Sequence, residues 1–132
     1  MIVFVDSSFW YALAVRRDPR HSQAAAFFAD FDASLCTTTF VFSEVASLLT
    51  KRAGKSAAIR LCEQIRVSES CEIVHPTKED LEAAWRLFVQ RRELDFDLVD
   101  AVSFTVMERL ELPSALCFDR HFNQMGFEVL PG

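Results

Sequence analysis

The sequence predicts an α/β fold, an open parallel sheet covered by helices on both faces, and three observations carry that expectation. Two short apolar runs, "IVFV" at 2–5 and "SALCF" at 114–118, each lead directly into an aspartate, as strands buried on both faces can do. Segments of helical periodicity alternate with these and with weaker strand candidates. Pro19, Gly54, Pro76 and Pro113 stand where those segments need breaks. With 132 residues, 51% of them hydrophobic, residues 1–132 are expected to form one domain around its own core, without repeat or linker.

In chain order, the strand at 2–5 is followed by helical patterns at Ser8–Arg16 and Arg20–Phe31. A weaker strand at Ser34–Thr37 leads into helices at Thr39–Ala53 and Lys55–Val67. A strand at Glu72–His75 precedes helices at Thr77–Arg92 and Asp97–Leu110, and strands at 114–118 and Phe127–Leu130 close the chain. In parallel sheets of this kind ligands gather at the carboxyl ends of strands, where Asp6 and Asp119 both fall.

Composition excludes several classes. The apolar stretches are broken by charge and the first segment carries Asp6, so neither a membrane span nor a signal peptide is expected, and a cytoplasmic protein is the default. Cys36, Cys62, Cys71 and Cys117 form no C-x-x-C pair and read as buried thiols. A net charge of −5 argues against broad adhesion to nucleic acid, which needs many cations on phosphate.

The stretch "LDFDLVDAVSFTVMERL" places Asp95, Asp97 and Asp100 ahead of a long apolar run. On a helical wheel over 97–110, Thr105, Glu108 and Arg109 mark the wet face, and Asp100 points away from them, between Phe104 and Met107. Asp97 suits an N-cap, and a local capping role is expected of Asp95 too. Position along the axis suits Asp100 to the helix dipole, but its inward direction asks for a function. Glu44 poses the same question beside the apolar stripe Val41, Val45, Leu48 and Leu49, with Arg52 or Arg60 as conceivable partners.

Asp6, Glu44, Asp100 and Asp119 therefore either end buried strands or face inward near helix starts. Carboxylates brought together repel, and stay ionised only beside a compensating cation. An all-oxygen set suits a hard ion, Mg²⁺ or Mn²⁺, and such sites favour phosphoryl transfer through an activated water. The residues thus suggest a metal-dependent phosphodiesterase. A receiver-like domain would need adjacent early acids and a late lysine; an integrin-type site needs D-x-S-x-S, and a dehalogenase-like phosphatase needs D-x-D. None of these is present.

"VDSSFWYAL", "SEVASLL", "LVDAVSFTVM" and "CFDRHFNQMGFEVLPG" together resemble the PIN-domain family, and more narrowly the VapC-type toxins of toxin–antitoxin pairs. The likeness runs the whole chain in order. It implies a three-layer α/β/α sandwich with a central five-stranded parallel sheet, and Mg²⁺- or Mn²⁺-dependent cleavage of an RNA substrate. The family's acidic cluster falls on Asp6, Glu44, Asp100 and Asp119 as catalytic residues, with Asp6, Asp100 and Asp119 as metal ligands. It also implies a homodimer and inhibition by a small antitoxin that inserts a segment into the active groove. Ser7 matches a frequent hydroxyl position and could orient water; Asp97 either adds an outer acid or only caps its helix. An RNA-processing nuclease of the same fold without an antitoxin, and a non-catalytic RNA- or protein-binding module, are the alternatives.

Setting the four acids aside raises the net charge from −5 to −1. Basic groups at Arg16, Arg17 and Arg20, at Lys51, Arg52 and Lys55, and at Arg91 and Arg92 are then the candidates for phosphate contact, although each reads first as a solvated helix end. His121, two residues after Asp119, is read as a hydrogen-bonding neighbour of the site rather than a ligand, and Asn123 first as a turn or cap residue, with an outer contact to water or phosphate as the alternative.

Overall fold

The run at 2–5 has no polar side to turn to water. In the computed structural model, which covers residues 1–132, it forms β1 (Ile2–Val5), the middle strand of a five-stranded sheet. Val3, Phe4 and Val5 are completely buried. The chain continues through α1 (Ser7–Ala14), α2 (His21–Ala29), β2 (Ser34–Thr38), α3 (Thr39–Ala53), α4 (Lys55–Val67) and β3 (Cys71–Val74). It then returns through α5 (Lys78–Gln90) and α6 (Leu98–Arg109) to β4 (Ser114–Leu116), α7 (Arg120–Gln124) and β5 (Glu128–Leu130). Every pairing is parallel, in the order β3-β2-β1-β4-β5.

Right-handed crossovers put α1–α4 on the face where the chain steps from β1 towards β3, and α5–α7 on the face where it steps back past β1 to β5. This is the expected three-layer sandwich. Register follows the apolar pattern, with Phe4 opposite Cys36 on one side and Ala115 on the other. The chain leaves β1 in one direction and β4 in the other, so the crevice above their carboxyl ends is the switch point of the sheet.

Gly54 ends α3 and starts α4 at φ +94°, a left-handed conformation that glycine adopts without a Cβ clash. Between α5 and α6, the buried Asp80 accepts two 2.7 Å bonds from Arg109 while also closing a capping box with Thr77. The completely buried Phe122 ties α7 to the centre, edge-on to Phe104 at 4.9 Å and tilted on Phe4 at 6.2 Å.

Differences from the expected elements are local. α2 stops at Ala29 and α5 at Gln90, and the strand at 114–118 stops at Leu116. α7, five residues long, was not expected, because it is too short to show a helical period. The four cysteines are free, with Cys36 and Cys117 buried. No helix is long and apolar enough to cross a membrane.

Candidate active site

Helix starts position the acids. Asp6 leaves β1 and caps α1, its Oδ2 accepting from the Ser8 hydroxyl at 2.8 Å and the Ser8 backbone N–H at 3.3 Å. Asp119 follows β4 and caps α7, its Oδ1 accepting from the His121 N–H at 2.9 Å. Asp97 caps α6 in a reciprocal box: its Oδ1 accepts from Asp100 N–H at 2.9 Å, and Asp100 Oδ2 accepts from Asp97 N–H at 3.3 Å. Thr38 caps α3 and sets Glu44 nearly two turns into that helix. Three helix N-termini thus point their positive ends at a cluster of like charges and offset part of its repulsion.

The strand ends are pinned as well. Thr37 donates its hydroxyl to the Val5 carbonyl at 3.0 Å, the Asp6 N–H bonds Leu116 O at 3.0 Å, and Phe118 N–H bonds the Ser8 hydroxyl at 2.9 Å. Ser8 therefore joins the ends of β1 and β4, a role the sequence did not single out.

Asp6, Ser7, Glu44, Asp97, Asp100 and Asp119 all line one cavity of about 560 Å³. A larger, mostly apolar cavity of about 590 Å³ lies against Trp10, Leu61 and Ile65 and holds no cluster of titratable groups. One ligand atom each from Asp100, Asp119 and His121 falls within 4.8 Å of the others. Asp6 lies outside that tightest group, but its charge acts on Asp100 and it feels the charge of Asp119.

Burial and mutual repulsion show in the protonation of the acids. Burial lifts Asp6 from 3.8 to about 6, with Asp119 adding to the rise and the Ser8 bonds opposing it. Burial also lifts Asp100, to about 9, reinforced by the charges of Asp119, Asp6 and Asp97. Glu44 is raised by burial and by Asp97 and Asp119, against a hydrogen bond from the Ser7 side chain. A site that disfavours its own ionised carboxylates is one that a divalent cation would relieve.

The hydrogen bonding fits such an ion. Asp6 Oδ2 is held by Ser8, while Oδ1 is buried with no partner. Asp119 Oδ1 is held by the His121 N–H, and Asp100 Oδ2 by the Asp97 N–H; no protein donor reaches Asp119 Oδ2 or Asp100 Oδ1. Each acid has one oxygen fixed and one open, the presentation that monodentate coordination by a hard cation uses.

Several expectations are corrected. Asp95 caps nothing: it is exposed, accepts from His121 Nε2 at 2.6 Å and pairs with Arg120 at 3.1 Å. His121 Nδ1 approaches Asp119 Oδ1 at 2.6 Å, off the line of an N–H bond, so this is a charge contact. Burial disfavours the imidazolium, but Asp95 and Asp119 outweigh it and raise His121 above 6.5. Its position two residues after Asp119 was the available signal, and the missed α7 turned that signal into geometry. Glu44 forms no ion pair with Arg52 or Arg60; Arg60 lines the apolar cavity instead. Asn123 is exposed on α7 and does not line the acidic cavity.

Comparison with known proteins agrees with this fold. The 23S rRNA-specific endonuclease VapC20 of Mycobacterium tuberculosis is 37% identical over 131 residues, 98% of this chain and 99% of that protein. The crystal structure of VapC20, described as a Sarcin-Ricin loop cleaving toxin, matches with a TM-score of 0.90 at 35% identity over 96% of each chain. A structure of VapBC2 from Rickettsia felis bound to a DNA fragment from their promoter gives a TM-score of 0.69 at 10% identity, over 98% of this chain and 97% of that one, a likeness of fold alone. Residues 3–128 match the PIN domain. With that match and near full-length similarity to VapC20, the chain belongs to the PIN-domain family, in its VapC-type branch.

Proposed function

We propose that this chain is a Mg²⁺- or Mn²⁺-dependent endoribonuclease and the toxin of a toxin–antitoxin pair. The observation that carries the reading is the set of open carboxylate oxygens on Asp6, Asp100 and Asp119 at the switch point of the sheet, one of them buried without a partner. These three acids would hold the ion. When bound, it would supply Lewis-acid activation of water and offset charge on the phosphoryl oxygens. Glu44 would take a proton from the attacking water, a role supported by its half-buried seat beside the Ser7 hydroxyl and by a pKa raised above the ordinary carboxylate value. Asp97 acts through Asp100, fixing its backbone and carboxylate by the capping box.

RNA as substrate is supported by the 37% identical relative named for cleaving 23S rRNA. An antitoxin is supported by the description of the same relative as a toxin. A homodimer is supported by α5, whose outer face exposes Leu81, Trp85 and Val89 with Glu79 and Glu82 towards one end and Arg86 towards the other. Two copies packed antiparallel would bury this stripe and oppose those charges.

The test is cleavage of RNA by the purified protein with Mg²⁺ or Mn²⁺ against a chelator control, alongside Asp100→Asn. Cleavage that depends on the metal and disappears in the variant, with the fold intact by circular dichroism, supports the reading. Equal cleavage by the variant overturns the site. A nuclease without an antitoxin would cleave RNA but leave growth unaffected when expressed, and a binding module would bind RNA without cutting it.

A further inference from the structure

The cavity that gathers the acids is also lined by two arginines, Arg20 and Arg52, and neither forms an ion pair. In a pocket rich in carboxylate, a flexible guanidinium would ordinarily turn to the nearest acid. Each is instead seated over an aromatic ring that lines the same cavity. Arg20 Cζ lies 5.2 Å from the centroid of Phe118, and Arg52 Cζ lies 5.6 Å from that of Tyr11, both within cation–π range.

The rings are themselves fixed to the catalytic frame. Phe118 directly precedes Asp119, is anchored by its N–H to the Ser8 hydroxyl, and stacks on the buried Phe9 at 5.7 Å. Tyr11 stands one turn beyond Ser7 and Ser8 on α1. Arg52 shares a face of α3 with Glu44 and Leu48, all three lining the cavity, and its carbonyl accepts a 2.6 Å bond from Arg17. The Arg20 backbone N–H donates to Asp18 Oδ1 at 2.8 Å, but its guanidinium makes only a long 3.5 Å bond, to Gln23 Oε1. Arg20 is thus paired with Phe118, the neighbour of Asp119, and Arg52, about two turns beyond Glu44 on α3, with Tyr11.

We propose that these two arginine–aromatic pairs are clamps that grip phosphates of an unpaired RNA strand where it enters the cavity that holds the acid cluster. The inference rests on the ribonuclease reading. A polyanion entering an acidic pocket has to be met by cations, and a guanidinium held by a ring keeps its N–H fork free for phosphate, which a salt-bridged one does not. The guanidinium plane also offers a stacking surface to a base turned out of a helix, which an intact duplex does not present. Arg20 and Arg52 are the binding groups; Phe118 and Tyr11 position them.

The experiment measures binding of a labelled, unstructured RNA oligonucleotide, single-stranded and annealed, by fluorescence anisotropy over a salt series in the Asp100→Asn background, with cleavage assayed in the otherwise wild-type chain. Arg20→Ala and Arg52→Ala should each weaken single-strand binding about tenfold and lower the salt slope by roughly 0.7, and the double variant by roughly 100-fold. Arg20→Lys and Arg52→Lys should retain the slope yet recover only part of the affinity. Phe118→Leu and Tyr11→Leu should weaken binding about threefold with the slope unchanged. Arg66→Ala, which removes a charge from α4 outside the cavity, should bind normally. The clamps are overturned if the double variant binds with unchanged affinity and slope, or if the duplex binds as well as the single strand. If the double variant cleaves normally, the clamps fail and the nuclease reading stands. If the clamp effects appear but the wild type cuts no RNA with either metal, the nuclease reading fails instead.

Discussion

Replacing Asp6 by asparagine should stabilise the metal-free protein at neutral pH. Asp6 is only 2% exposed, and its carboxyl is raised from 3.8 to about 6 by burial, with a contribution from Asp119. Between roughly pH 4 and pH 6 the folded chain keeps a proton that the unfolded chain has released, so stability falls as pH rises across that window and the full penalty is present above it. At ~1.4 kcal/mol per pH unit the penalty is about 3 kcal/mol. Asparagine still accepts the Ser8 bonds that start α1, since Asn and Asp cap helices about equally well. Its amide, placed where Oδ1 has no partner, returns about 1 kcal/mol of that gain as an unsatisfied donor. The net is about 2 kcal/mol, or ~8 °C in Tm for a chain of this size. Thermal unfolding followed by circular dichroism in chelator should show the variant melting higher at about pH 8 and no higher than wild type at about pH 4. With Mn²⁺ at a hundredfold excess over its Kd the order should reverse, because the wild type gains about 2.7 kcal/mol that the variant largely lacks. A variant that melts at or below the wild type at the higher pH in chelator would refute the claim that Asp6 is held in a site hostile to its charge.

Arg109→Ala leaves Asp80 without its two bonds and should lower the chemical denaturation midpoint at neutral pH. Arg109 holds the Asp80 pKa below the ordinary carboxylate range, so this stabilisation is present above that range and is lost as pH falls through it; the penalty should shrink in acid. Phe122→Ala empties the space between Phe4 and Phe104 and should cost about 4 kcal/mol, read as a lower denaturation midpoint at unchanged slope. Ser8→Ala should cost about 1–2 kcal/mol by removing the bonds to Asp6 and Phe118. Since Ser8 also pulls the Asp6 pKa down, the window over which the chelated protein loses stability as pH rises should extend to higher pH in that variant, read by thermal unfolding.

Much of this architecture is legible before any fold is known. The apolar runs at 2–5 and 114–118 became the middle strand and one of its two neighbours, and the aspartates that follow them came to the carboxyl edge of the sheet. Asp100 was readable as inward-facing because a helix of twelve residues has enough period to define its sides. Capping and inward direction had looked like competing accounts of its neighbourhood; in the structure Asp100 closes the capping box with one oxygen and leaves the other open to the cavity. Harder to read were α7, whose five residues owe their helical turn to the Asp119 cap and the burial of Phe122, and the bridging of Asp95 to Asp119 by His121.

Apart from α7, the sequence by itself determined which segments would be strand or helix and which acids would face inward, because those properties are set by side chains within a turn or two of one another. Strand order, the gathering of those acids around one cavity and the seating of Arg20 and Arg52 over aromatic rings were decided only by tertiary structure. Parallel strands are joined through long crossovers that carry no local signature of their neighbour, and the partner of a surface cation depends on what distant chain lies within its reach.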